Sequence, residues 1–120
     1  MRPLAHPEAR VIEGVARWSK LVISAAYPHD VNDATFSPHD CARMIRAALP
    51  IALAEAAGAG VVSVAATVIG TAYRMPADLA IRAFLDGVAA ADAGTALYWS
   101  LPDSAHHSLA LEAARRLGLG

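Results

Sequence analysis

The amino-acid sequence predicts an all-α fold, a single compact bundle of four to six helices that forms one domain over residues 1–120. The length of 120 residues is typical of one domain, and hydrophobic residues make up 56% of the chain, which is enough for one buried core. Apolar residues recur at helical spacing in several segments, and Ser, Pro and Asp residues mark the starts of those segments. The alternative is an α+β fold with two short strands near 61–69 and 96–100.

The first predicted helix spans about 7–26. Glu13 and Arg17 lie on its polar face, at a spacing and in an order that favour an ion pair. Pro28 would end the helix, because the residue before a proline is disfavoured in the α conformation. The apolar face is formed by residues at helical spacing, namely Val11, Val15, Trp18, Val22 and Ala25.

The second predicted helix begins at the sequence FSPHDC. Ser37 is suited to the N-cap, Pro38 to the first helical position, and Asp40 to the third, where its charge meets the positive end of the helix dipole. Phe36 and Cys41 occupy the two positions of a hydrophobic staple. We therefore expect a helix that starts at this point.

The middle of the chain is less regular. Pro50 should kink or restart the second helix, because it lacks a backbone N–H, and Gly58 and Gly60 should close the region. The segment 60–72 fits a helix with small residues on one face, and it also fits a strand rich in β-branched residues. We favour the helix, because alanine is abundant and the neighbouring segments are predicted to be helical.

Two further helices are predicted in the last third of the chain. Pro76 and Asp78 open the first of them in the same manner as Pro38 and Asp40. The segment 95–102, after Gly94, fits either a further helical turn or a short strand. The last helix runs from Asp103 or Ser104 to Leu117, with Arg115 and Arg116 in its final turn and Gly118 as its stop.

Charge and composition restrict the class of function. The formal net charge is −1 and the ten Lys and Arg residues are scattered, so we expect no nucleic-acid partner. A single cysteine excludes an intramolecular disulfide, and we expect a cytoplasmic protein. The segment 56–73 has no charge, but its Ala, Gly, Ser and Thr residues gain little in lipid, so membrane insertion is disfavoured.

The sequence PHDVNDATFSPHD concentrates imidazoles and carboxylates in a short segment, and we call residues 29–40 the histidine loop. His39 is a candidate general base, His29 a second imidazole, and Asp30 or Asp33 an orienting carboxylate. With Asp40 and Cys41 these residues have the chemistry of metal ligands. Their spacing matches none of the established metal motifs, so we assign no metal and no cofactor.

Tyr98 and Trp99 are the candidate interface residues, because Tyr and Trp are enriched at the energetically dominant positions of protein interfaces. The chain is apolar, weakly charged and rich in small residues, so we predict a non-enzymatic interaction or oligomerisation subunit with a homo-oligomeric or other protein partner. One alternative is a small enzyme or ligand-binding protein that uses the histidine loop. The other is a membrane-associated helix pair around 47–73.

Overall fold

The fold is α+β, so the predicted helical bundle is wrong. The structure is a computed structural model, and it describes residues 4–14, 20–24, 26, 37–66, 75–91, 96–99, 101 and 104–118. Within these residues the chain forms three helices and two separate two-stranded sheets. In chain order the elements are β1 (Ala9–Glu13), β2 (Lys20–Ser24), α1 (Pro38–Gly58), β3 (Ser63–Ala66), α2 (Ala77–Ala90), β4 (Ala96–Trp99) and α3 (Ser104–Arg116).

An antiparallel pair, β1 and β2, occupies the range in which a helix over 7–26 was predicted. Val11 pairs with Val22, and Glu13 pairs with Lys20. The helical spacing of the valines was misleading, because β-branched residues side by side favour a pleated strand whenever a second such run can pair with the first. Trp18, which the prediction placed in the helix core, lies outside the described residues.

Helix α1 begins as the sequence predicts. The Ser37 hydroxyl accepts from the Asp40 N–H at 3.1 Å, and the Asp40 carboxylate accepts from the Ser37 N–H at 2.9 Å, which together form a capping box. The helix continues through Pro50 to Gly58, and Gly60 follows it with a φ of 80°. Phe36, the partner of Cys41 in the predicted staple, lies outside the described residues.

Helices α1 and α2 form the centre of the core. Ile45 and Phe84 are fully buried in one cluster, and Leu49 packs against Gly87. The contact is so close that a Cβ atom at Gly87 would lie 2.8 Å from the Cβ of Leu49. At the edge of this contact Arg46 and Asp86 form an ion pair at 3.6 Å. Small residues thus allow the two backbones to approach.

Strands β3 and β4 are parallel neighbours, and α2 connects them as a crossover helix. The helix favoured over 60–72 is therefore wrong for residues 63–66, while 67–72 lie outside the described residues. The α+β alternative predicts strands in the two ranges in which β3 and β4 lie, but it predicts no strand within 7–26. The sequence pattern of a four-residue strand is too short to be distinguished from a turn of helix. The choice between helix and strand therefore depends on tertiary pairing.

Helix α3 packs on α2 through one side. Ile81 and Leu85 of α2 form a second buried cluster with Ala110 of α3. The helix carries Arg115 and Arg116 in its last turn, and Gly118 follows with a φ of 73°. Both features agree with the predicted C-terminus of this helix.

The membrane alternative required a pair of helices around 47–73. Instead, α1 ends at Gly58 and the chain continues into β3. Among the helices that the structure describes, none has both the length and the apolar character needed to cross a bilayer.

Candidate functional site

The structure describes only the end of the histidine loop. His29, Asp30 and Asp33 lie outside the described residues, so their geometry relative to His39 is a prediction without a test. His39 itself is exposed on the first turn of α1. Its proposed role as a base depends on a carboxylate that orients the imidazole, and that arrangement also stays a prediction.

Asp40 is committed to the helix cap. Its carboxylate accepts hydrogen bonds from the backbone N–H and the hydroxyl of Ser37, each at 2.9 Å, and it also pairs with the Arg43 guanidinium. The hydrogen bonds from Ser37 lower the pKa of the Asp40 carboxyl, and the nearby charge of Arg43 adds to the effect. The carboxylate therefore has a structural role that occupies its oxygens.

Cys41 follows directly and is buried in the core. Burial raises the pKa of its thiol, and the negative charge of Asp40 raises it further. Since the thiolate is the nucleophile and the metal ligand, these surroundings favour an inert structural thiol. Within the part of the chain that the structure describes, no three His, Cys, Asp or Glu side chains come together in a way that could hold a metal ion.

A different histidine makes a tertiary contact that the sequence did not indicate. His6 Nε2 lies 2.8 Å from the carbonyl oxygen of Met44. Because a carbonyl only accepts, Nε2 carries the proton in this contact. The bond fastens the segment before β1 to the side of α1, so His6 has a positioning role in the fold.

The candidate interface residues lie on the β3–β4 sheet. Ala65 is the register partner of Tyr98, and Val64 is the partner of Leu97. Leu97 packs against the core cluster, as does Ala66, so these residues define the inner side of the sheet. Tyr98 is 67% exposed on the outer side. For Trp99 the structure describes the strand position alone, and its predicted role in an interface stays a prediction.

We call the outer side of this sheet the β3–β4 face and define it by Ser63, Ala65 and Tyr98. Ser63 and Ala65 are exposed, and they alternate with the inward positions Val64 and Ala66. The face therefore presents one large aromatic side chain beside two small ones. The strand interpretation of 61–69 places Ser63 and Ala65 on the same exposed side, because alternate residues of a strand share a side. The favoured helix does not predict this arrangement.

The β3–β4 face has no charged residue. Residues 61–66 and 96–99 contain no Asp, Glu, Lys or Arg. Val62, immediately before β3, is a further exposed apolar residue, at 79%. Within the described residues each strand of this sheet pairs with one neighbour only, which leaves an outer edge on both.

Comparison with known proteins assigns neither a family nor a function to this chain. Comparisons with protein-family models, with curated proteins and with solved structures gave no significant match.

Proposed function

We propose that this protein is a non-enzymatic interaction domain that binds another polypeptide chain through the β3–β4 face. The observation that carries the proposal is the exposure of Tyr98, at 67%, on the outer side of a sheet whose inner side packs on the core. Tyrosine has a large apolar ring and a polar end, which suits it to a surface that is wet when free and covered when bound.

The kind of sheet supports the proposal. Parallel sheets in proteins are almost always covered on both sides, because their crossover connections place helices on the faces. Here α2 is the crossover, and Ala66 and Leu97 pack on the core beside it. The opposite side carries exposed residues. A partner that covers this side would give the sheet the environment that parallel strands normally have.

The chemistry of the face indicates how the partner is recognised. With no charge on the face, an ion pair cannot orient the partner, so apolar contact and shape must provide the binding energy. Ser63 and the phenol of Tyr98 are the polar groups available for hydrogen bonds across the contact.

Photo-crosslinking tests the proposal directly. Tyr98 is replaced by p-benzoylphenylalanine, which keeps an aromatic ring at the position, and the variant is expressed and irradiated in the cells that make the protein. We expect a covalent adduct between position 98 and a second polypeptide, because the ring would lie inside the interface.

The matched control carries the same residue in place of Ile51. This side chain is also apolar and exposed, at 37%, but it lies on α1. An adduct at position 98 and none at position 51 supports the proposal. Absence of adducts at position 98, or equal yields at both positions, contradicts it.

The enzyme hypothesis for the histidine loop stays a prediction. At the described end of the loop, Asp40 serves the helix cap and Cys41 is buried, so neither favours it. No observation among the described residues brings His39 together with a second catalytic group.

A further inference from the structure

We infer that the chain covering the β3–β4 face is a second copy of this protein, related by a two-fold axis. The inference rests on the function proposed above and names its partner. It follows from two properties of the face, its shape and its lack of charge, together with the register of the strands.

The shape of the face is complementary to itself. Tyr98 on β4 lies beside Ala65 on β3, so a large side chain and a small one are register partners. A two-fold axis parallel to the strands, running between β3 and β4, places β4 of one copy over β3 of the other. Tyr98 of each copy then lies over Ala65 of its partner, with Ser63 two residues away on the same side of that strand. Two-fold contacts are self-complementary in this way, since residue i meets residue j and j meets i.

The lack of charge is compatible with a second copy. In a two-fold contact a charged residue near the axis meets its own like, which costs free energy. The β3–β4 face has none, whereas β1 and β2 carry Arg10, Glu13 and Lys20. The net charge of −1 also leaves little repulsion between whole molecules.

The size of the face sets the expected affinity. A stable dimer buries about 800 Å² on each partner, and two strands of four residues supply only part of that area. A weak dimer is therefore expected, with monomer and dimer in exchange.

Sedimentation velocity over about 5 to 500 µM provides the test. We expect the wild-type chain to shift from the 12.5 kDa monomer to a dimer across this range. Ala65→Glu and Tyr98→Lys should each weaken the dimer at least about tenfold, because each leaves a charge without a partner in an apolar contact. Ala54→Glu is the matched control, since Ala54 is an exposed alanine on α1, and it should leave the dimer unchanged.

Mixing the two variants tests the register. A heterodimer of Ala65→Glu with Tyr98→Lys has one native contact and one contact in which the new carboxylate faces the new ammonium. The equimolar mixture should dimerise at least about tenfold more tightly than either variant alone. Circular dichroism of each variant, matched to that of wild type, establishes that the charges act on association.

Two results would overturn the inference. One is a wild-type monomer at every concentration, and the other is a dimer that both charged variants leave intact. The first result, combined with a crosslink from position 98 to a different protein, would retain the proposed function and remove the second copy. A monomer with no crosslink at position 98 would remove both.

Discussion

The two small sheets of this protein are built in opposite ways. β1 and β2 are antiparallel and close in sequence, and their last paired positions hold Glu13 and Lys20, whose charged groups lie 3.8 Å apart. β3 and β4 are parallel, are separated by α2, and contain no charged residue. The first sheet pairs residues that are near in sequence, whereas the second pairs Ser63 with Ala96 across the length of α2.

The difference in charge has a consequence for association. Charged side chains on an exposed strand oppose pairing with another chain, because they would have to be desolvated or brought near their like. Arg10, Glu13 and Lys20 give β1 and β2 this protection. β3 and β4 lack it, and their outer side exposes Tyr98. The unprotected sheet is therefore where we place the partner.

The largest expected effect comes from separating α2 from α1. Gly87→Ala adds a Cβ that would lie 2.8 Å from the Cβ of Leu49, so the helices must shift. We expect the free energy of unfolding to fall by about 1–3 kcal/mol. Hydrogen exchange should accelerate more in β3 and β4, whose Ala66 and Leu97 pack on the core cluster that contains Leu49, than in β1 and β2, whose described residues are not part of that cluster.

Gly58→Ala is the matched control for this prediction. Nothing lies within 4 Å of a Cβ atom at Gly58, which is the last residue of α1. This variant should unfold at the wild-type denaturant concentration or slightly above it, because alanine loses less conformational entropy than glycine when it enters a helix. If Gly87→Ala accelerated hydrogen exchange equally in both sheets, the two sheets would open as one unit. That result would contradict the difference between the sheets proposed above.

A smaller effect is expected at the start of α1, the helix on which β1 and β2 pack. Ser37→Ala removes the N-cap, so the free energy of unfolding should fall by about 1 kcal/mol. Ser108→Ala, an exposed serine within α3, serves as its control and should have little effect. Chemical denaturation of the three proteins measures both differences.

The same variant has a defined pH dependence. The pKa of Asp40 is lower in the folded state, so the carboxylate contributes stability above its unfolded pKa of about 4, and this contribution is lost as the pH falls through the folded value. Ser37→Ala removes one of the two hydrogen bonds from Ser37 that lower the pKa of Asp40, the one from the hydroxyl, and keeps the one from the backbone N–H. The difference in stability between wild type and variant should therefore narrow as the pH falls below about 4. If the difference in stability stayed constant down to about pH 2, the contribution of the cap would not depend on the protonation of Asp40.

The smallest effect is expected in the charged sheet. Glu13→Ala removes the ion pair with Lys20, but Glu13 is almost fully exposed, so the free energy of unfolding should change by at most about 0.5 kcal/mol. Thermal unfolding at low and at high salt checks this, because screening should abolish the difference. A loss above about 1 kcal/mol, independent of salt, would indicate that Glu13 stabilises the strands by packing.

The parts of the fold that sequence analysis predicted are local. The cap of α1 by Ser37 and Asp40 and the stop of α3 at Gly118 depend on residues within a few positions of each other. The mistaken helix over 7–26 shows the limit, since Val11 and Val22 fit a helix face as well as a strand pair. The candidate site followed the same division. Tyr98 was selected by residue type, whereas Ser63 and Ala65 follow from the strand alternation, and their place beside Tyr98 follows from the strand register.

The sequence by itself determined where α1 begins, which residues cap it, and that the chain has enough apolar residues for one core. These features depend on backbone hydrogen bonds and side chains within one turn. Tertiary structure alone decided that residues 63–66 and 96–99 are paired strands and that Tyr98 lies on the outer side. A strand satisfies its backbone hydrogen bonds only with a partner strand, and here that partner lies beyond α2 in sequence, so the presence of β3 and β4 and their exposed side depend on tertiary packing.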